Sequence, residues 1–189
     1  MSPRYAMAVD TRRCVGCNAC VIGCKTENAV PLGGFRDWIA TECRGTFPDL
    51  ALQIRSERCN HCADTPCVAA CPTGASHVGE GGTVLVTARK CTGCKACMAS
   101  CPYGARYVHT DGHVDKCTFC LHRVRAGKEP ACVEVCPTRA LTFGDLRDEG
   151  SAVARLVRGR RWGVLSSGRS STSCGGSSIR SPDSYTTEL

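Results

Sequence analysis

Apolar and polar residues alternate along this chain in short runs, and turn-forming residues separate the runs. Tyr5-Ala-Met-Ala-Val9 predicts a short strand. Phe35 to Glu42 and Leu50 to Arg55 predict two paired strands around the turn-prone segment Arg44-Gly-Thr-Phe-Pro-Asp49. His77-Val78 and Thr83-Val-Leu-Val86 flank Gly79-Glu-Gly-Gly82 and read as a hairpin. Arg106-Tyr-Val-His109 and His113-Val114 repeat that design across Thr110-Asp-Gly112. Ser151 to Arg158 reads as a helix capped by its serine, with Ala152 and Leu156 on one face. From Ser166 onward nine of the last 24 residues are serine, so this tail is expected to be disordered. No run approaches the roughly eighteen apolar residues of a membrane span. Elements this short, with aromatic residues at only 5%, make a thin apolar core, so something else must organise the interior.

The 18 cysteines supply it. Cys91-Thr-Gly-Cys94-Lys-Ala-Cys97-Met-Ala-Ser-Cys101-Pro102 spaces three thiolates by two intervening residues, suited to wrap one corner of a cubane. A fourth follows after three intervening residues, before proline, pointing away to a different cluster. Cys14, Cys17, Cys20 and Cys24 form a second copy that lacks only the proline. Cys59, Cys62, Cys67 and Cys71-Pro72 widen one gap, and Cys117, Cys120, Cys132 and Cys136-Pro137 widen it further. Sixteen cysteines thus form four quartets, the ligand count for four 4Fe-4S clusters. The chain reads as an internal repeat whose units share Cys-Pro-(Thr/Tyr)-Gly-Ala at Cys71 and Cys101, with Arg139 replacing the glycine after Cys136. Glycine there suits a tight turn against the sulfurs. A short helix is expected after each ligand loop, for example Lys95 to Ser100. Structural zinc is the rival, but it prefers two Cys-x2-Cys pairs and leaves the middle cysteine of Cys-x2-Cys-x2-Cys unused. Disulfides fit worse, because Cys14, Cys17 and Cys20 crowd each other.

The clusters change the meaning of the formal charge of +7. An oxidised cubane with four thiolates carries about −2, so four of them bring the loaded protein near −1. Lys25, Arg89, Lys90, Lys95, Arg106, Lys116, Arg123 and Arg125 stand close in sequence to ligands and offset that charge, although a solvated basic surface accounts for about half of them. No basic-aromatic motif points to nucleic acid. His61 and His122 lie in or beside ligand loops, within reach of sulfur, but packing or surface roles are the simpler reading; His77, His109 and His113 read as solvated. Cys43 is expected to be a small buried hydrophobe, Cys174 an incidental thiol, and Trp38 and Trp162 core or interface anchors. No nucleophile or acid-base constellation appears, so the chain is expected to do no substrate chemistry itself.

Arg4-Tyr-Ala-Met-Ala-Val-Asp-Thr-Arg-Arg-Cys-Val-Gly-Cys17, Arg58-Cys-Asn-His-Cys62, Cys101-Pro-Tyr-Gly-Ala-Arg-Tyr107 and Asp115-Lys-Cys-Thr-Phe-Cys120 closely resemble a known family. It is the four-cluster iron-sulfur subunit of the dimethyl sulfoxide reductase superfamily, nearest to those of polysulfide, thiosulfate and tetrathionate reductases. The resemblance covers residues 4 to about 157. It implies an α+β fold of two ferredoxin-like modules with short helices and β-hairpins. The first module is 1–30 with 112–157, followed in the chain by an insertion at 31–58, a second module at 59–111, and an extension at 158–189 disordered from 166. It also implies the ligand sets, which spacing alone leaves open. These are Cys14, Cys17, Cys20 with Cys136; Cys117, Cys120, Cys132 with Cys24; Cys59, Cys62, Cys67 with Cys101; and Cys91, Cys94, Cys97 with Cys71.

The implied function is electron transfer in anaerobic respiration, between a membrane quinone subunit and a molybdopterin catalytic subunit. An alternative is a polyferredoxin-like subunit of a formate dehydrogenase or hydrogenase. Met1 to Val9 holds no long apolar stretch, and Arg12-Arg13 runs directly into ligands, so no export signal is expected on this chain. The implied location is peripheral to a membrane within a complex, on the periplasmic side through the partner's twin-arginine signal; the cytoplasm is the alternative. The serine-rich stretch Gly168 to Leu189 departs from the family, whose members continue with Gly-Thr-x-Pro and an aromatic-rich ending. A divergent terminus or a frame-shifted reading would each explain it, and tail contacts to other subunits are therefore not carried over.

Overall fold

A computed structural model describes residues 2–159, 163–164 and 184–187. The N-terminal strand β1 (Tyr5–Asp10) is the structural spine of one half. Its residues from Ala6 to Val9 are all buried. The two-residue period of a strand sends Met7 and Val9 into the main core, beside Phe119 and Leu141, and the small Ala6 and Ala8 against the last helix.

After β1 the chain enters the first cysteine loop and α1 (Ala19–Glu27). A long hairpin follows, β2 (Asp37–Thr46) with β3 (Asp49–Arg58), in register from Asp37 opposite Arg58 to Thr46 opposite Asp49. The strands are longer than the sequence suggested, and only Phe47-Pro48 remains as the turn. Arg55 pairs with Glu42 and Glu57 along this ribbon, whose inner end packs through Trp38 and Ile39 on the core while its tip, with Leu50 and Leu52, is exposed. For the same reason Cys43, expected to be buried, is half-buried opposite Leu52.

Next come α2 (Pro66–Ala69), the hairpin of β4 (Ser76–Val78) and β5 (Val84–Val86), α3 (Ala96–Ala99), and a second hairpin of β6 (Tyr107–Val108) and β7 (Val114–Asp115). The helices span one turn each; α2 starts at Pro66 and α3 follows a left-handed Lys95. Then α4 (Leu121–Arg125) and α5 (Ala131–Glu134) lead into β8 (Leu141–Asp145). Helix α1 packs on α5, and α2 on α3. The α1–α5 approach depends on Gly23, where a Cβ would stand 2.8 Å from Val135.

Strand β8 pairs antiparallel with β1, Tyr5 opposite Asp145 and Val9 opposite Leu141. Helix α6 (Ala152–Gly159) closes this side, and Ser151 Oγ caps it by accepting the Ala154 N–H at 3.2 Å. Its buried face carries Val153 and Ala154, with Val157 beside them, whereas Ala152, grouped with Leu156 on one face from the sequence, is exposed. The packing direction is set by Ala6 and Ala8, which admit Val153 rather than its predecessor. Within the tail expected to be disordered, Ser184–Thr187 forms a strand, β10, on the other edge of β1, and β9 (Gly163–Val164) lies beyond it. The remainder of that tail, with Cys174, lies outside the described residues, as does Trp162 before it.

Candidate iron-sulfur centre

One backbone geometry recurs through all four cysteine runs. The third residue of the first Cys-x-x-Cys loop in each run, Gly16, His61, Gly93 or Phe119, has a positive φ between 45° and 68°. This left-handed turn folds the two cysteines toward a common point and aims amide hydrogens inward. The His61 N–H reaches Cys59 Sγ at 3.5 Å, and the Phe119 N–H reaches Cys117 Sγ at 3.4 Å. Glycine adopts the turn freely, while His61 and Phe119 hold it at a cost of roughly 1–2 kcal/mol. A second left-handed residue follows each Cys-Pro, at Gly74, Gly104 and Arg139. The glycine that the repeat suggested for a tight turn therefore does that work, and Arg139 does it with a side chain. After these turns the N–H groups of Ser76 and Ala140 donate to Cys71 and Cys136 Sγ, each at 3.3 Å. The Ser76 bond brings the Cys71 thiol below its ordinary pKa. At Cys136 burial works the other way, but the Ala140 N–H and Thr138 prevail and the pKa is lowered.

The thiols gather across the chain. Cys24, Cys117, Cys120 and Cys132 line one cavity, together with Arg58, Asp37 and Asn28. Burial, and then the proximity of Cys117, pushes the Cys24 thiol far up. Burial likewise raises Cys117 to about 11. Cys62 is raised to about 11 by burial, with Cys59, Cys67 and Cys101 adding to the effect. Cys97 is raised by burial and feels Cys71 and Cys91. At the first run Cys20 Sγ lies 3.4 Å from Ser56 Oγ, Cys14 is half-buried and Cys17 is exposed.

Cationic and amide groups reach the sulfurs. Arg106 Nη2 donates to Cys67 Sγ at 2.8 Å and to Ser76 Oγ at 2.9 Å. Arg58, only 2% exposed, points Nη1 at Cys132 Sγ from 3.7 Å, bonds Ser56 Oγ and lies 4.0 Å from the buried Asp37. Asn28 Nδ2 stands 3.7 Å from Cys24 Sγ and 3.6 Å from Cys120 Sγ. Arg36 orients that amide through a 2.7 Å bond to Asn28 Oδ1, and also grips Asp115 with two bonds of 2.8 and 3.0 Å.

A metal-sulfide core fits this donor set. Clustered thiolates out of water repel one another, and only a multiply charged cation offsets that cost. Three buried nitrogens, Arg58 Nε, Arg106 Nη1 and His61 Nε2, have no acceptor among the described residues. Sulfide would supply acceptors to these nitrogens.

Of the cations expected to offset cluster charge, Arg106 touches a thiol, and Lys116 is buried beside Cys117 with Nζ bonded to that residue's carbonyl at 2.6 Å. Lys25 instead bonds the Pro31 and Gly34 carbonyls, Arg123 pairs with Glu27 and Glu134, and Arg125 with Glu80. Arg58, Asn28 and Arg36 were not legible as site residues; the position of Arg58 directly before Cys59 was the available signal. The His61 ring is fully buried, accepts the Val84 N–H on Nδ1 at 2.9 Å and is held neutral by burial and then by Lys116. His122 is a surface partner of Glu27. Trp38 is packed against the core and bonds Glu57 at 3.1 Å, as an anchor should.

Two family models, each described as a 4Fe-4S dicluster domain, match residues 50–146 and 13–75. The sequence is 47% identical over 159 residues to the NrfC homolog of Haemophilus influenzae, covering 82% of this protein and 71% of that one. It is 43% identical over 161 residues to a polysulfide reductase chain of Wolinella succinogenes, covering 83% and 84%. A tetrathionate reductase subunit of Salmonella typhimurium is 41% identical over 162 residues, covering 84% of this protein and 64% of the relative. The mixed, loop-rich architecture is that of ferredoxin-like modules. The chain belongs to the 4Fe-4S dicluster domain family, among the iron-sulfur electron-transfer subunits of the dimethyl sulfoxide reductase superfamily and near those of polysulfide, thiosulfate and tetrathionate reductases.

Proposed function

We propose that this chain passes electrons one at a time between a membrane quinone subunit and a molybdopterin catalytic subunit, through four 4Fe-4S clusters. In this reading Cys14, Cys17, Cys20 and Cys136 hold one cluster, and Cys24, Cys117, Cys120 and Cys132 its neighbour. Cys59, Cys62, Cys67 and Cys101 hold a third, and Cys71, Cys91, Cys94 and Cys97 the fourth. The outer runs form one module and the inner runs the other. The observation that carries the reading is that Cys24 shares a buried cavity with three cysteines of the last run. That exchange of a fourth ligand is what a Cys-x2-Cys-x2-Cys-x3-Cys run requires.

Each cluster would supply a one-electron couple, and the chain's own residues do the rest. The four left-handed turns orient the thiolates and aim N–H groups at sulfur, while Arg58 and Arg106 add positive charge; both effects favour the reduced, more negative state. Met7, Val9, Phe119 and Val133 keep water out of the interior. Among the described residues no helix is long and apolar enough to cross a membrane, so contact with a bilayer is assigned to the partner. In the same reading the complex sits on the periplasmic face.

The test is iron, acid-labile sulfide and zinc per chain on protein purified without oxygen. The expected result is about sixteen irons and sixteen sulfides, the content of four cubanes, with negligible zinc. About four zinc without sulfide overturns the reading.

A further inference from the structure

The turn of the β6–β7 hairpin carries a cluster of side chains that electron transfer does not use. His109 and His113 occupy the positions just beyond the pair Val108 and Val114, so both side chains leave the ribbon on one face. Their rings stack with centroids 4.6 Å apart and planes inclined by 20°. The turn between them is closed by backbone bonds from the His109 N–H to His113 O at 2.8 Å and from the Gly112 N–H to His109 O at 2.9 Å, with Gly112 at φ +85°. The Asp111 N–H donates to His109 Nδ1 at 3.2 Å, and Asp111 Oδ2 lies 3.3 Å from that same nitrogen. One ligand atom from each of His109, Asp111 and His113 lies within 4.8 Å of the other two.

These contacts make the turn electron-rich. His109 Nδ1 turns its lone pair toward the turn, where it accepts the Asp111 N–H and where the carboxylate oxygen also stands; an ion bound at this nitrogen replaces that hydrogen bond. Two ligand atoms each about 2 Å from one tetrahedral ion stand about 3.3 Å apart, the separation already present between His109 Nδ1 and Asp111 Oδ2. Side-chain rotation of His113 has only a short gap to close, since its ligand atom already lies within 4.8 Å of the other two. Two imidazoles with a single carboxylate select zinc, nickel or copper over magnesium or calcium, which favour sites built of oxygen.

We propose that His109, Asp111 and His113 form a binding site for a divalent transition-metal ion of the zinc class, completed by water. The site reaches the third cysteine run through its own hairpin. Val114, directly after His113, donates its N–H to Cys91 Sγ at 3.4 Å, and Gly112 O lies 2.6 Å from where a Cβ on Gly93 would stand. An ion fixed in the turn therefore clamps the two backbone groups that touch that loop. The geometry belongs to the hairpin itself and holds for any occupant of the cysteine site.

The experiment is equilibrium dialysis of the cluster-loaded full chain against micromolar zinc, with zinc and iron both measured afterwards. Wild-type protein is expected to retain one zinc more per chain than the double variant H109A/H113A at equal iron content, which certifies the fold of the variant. D111N is expected to weaken binding about tenfold. Equal zinc retention by wild type and the double variant, or no retention by wild type, overturns the site. Nickel is expected to compete and magnesium in equal amount not to; displacement by magnesium overturns the assignment of metal class. Zinc is also expected to slow amide exchange at Val114 in wild type and not in H113A, and unchanged exchange with zinc bound overturns the clamp.

Discussion

His61 and Phe119 stack face to face, with ring centroids 3.9 Å apart and planes inclined by 22°. Each is the third residue of a Cys-x-x-Cys loop, each is left-handed, and each gives its N–H to the first cysteine of its own loop. The second and fourth cysteine runs are therefore joined ring to ring at equivalent positions. Neither ring is more than 1% exposed.

Replacing His61 by alanine empties this join and strands the Val84 N–H. A loss of about 3 kcal/mol is expected from the cavity and the orphaned donor together. His61→Phe keeps a ring and loses only the acceptor, so it should cost about half as much. Denaturant midpoints of the loaded protein, followed by its visible colour, measure both; a midpoint for H61A equal to wild type contradicts the account.

Arg58→Met leaves Asp37 charged and buried without its cation, so a loss of about 3–5 kcal/mol is expected. The double variant R58M/D37N removes both charges and should recover most of that loss. Urea unfolding of the three proteins decides it. If the double variant is as unstable as the single one, the contact of Arg58 with Cys132 matters more than its pairing with Asp37.

Cys24→Ser is expected to disturb the cluster held by Cys117, Cys120 and Cys132, leaving the one held by Cys14, Cys17 and Cys20 intact. Electron paramagnetic resonance of the reduced variant, compared with Cys120→Ser, reads this directly. The same signal should change in both variants; loss of a different signal in C24S contradicts the exchanged ligand.

Gly16 and Gly93 hold the same place in their loops with the same φ of +68°, yet they should not tolerate alanine equally. Either substitution forces a side chain into a left-handed residue at about 1 kcal/mol. A Cβ at Gly16 then meets only side-chain atoms, of Ile54 at 3.1 Å and of Ile39 at 3.8 Å, whereas one at Gly93 meets the Gly112 carbonyl at 2.6 Å. G93A is expected to lose iron on purification and G16A to retain it, as metal analysis of the two variants would show.

The cysteine runs, the three hairpins and the capped helix were legible because each is a local signal: a spacing, a turn or a cap. The hidden part depends on register between distant segments. Asp37 and Arg58 read as unrelated charges until the ribbon sets them opposite each other. His109 and His113 read as solvated, because alternation in a two-residue strand does not say that both rings share a face. The Leu141–Asp145 segment carried no clear strand signal of its own; its partner β1, far away in sequence, makes it one. Ser184–Thr187 likewise takes its strand form from pairing with β1, against a composition that favours disorder.

The pairing of Tyr5 with Asp145 sets a schedule for the newborn chain. As the polypeptide leaves the ribosome, β1 emerges first and has no β8 to meet until nearly all of the cysteine-bearing sequence is out. The hairpins of β4–β5 and β6–β7 close within a few residues of themselves and need no such wait. The segments that form β4–β5 and β6–β7 can therefore order early, while β1, just before the first cysteine loop, waits for β8 to arrive.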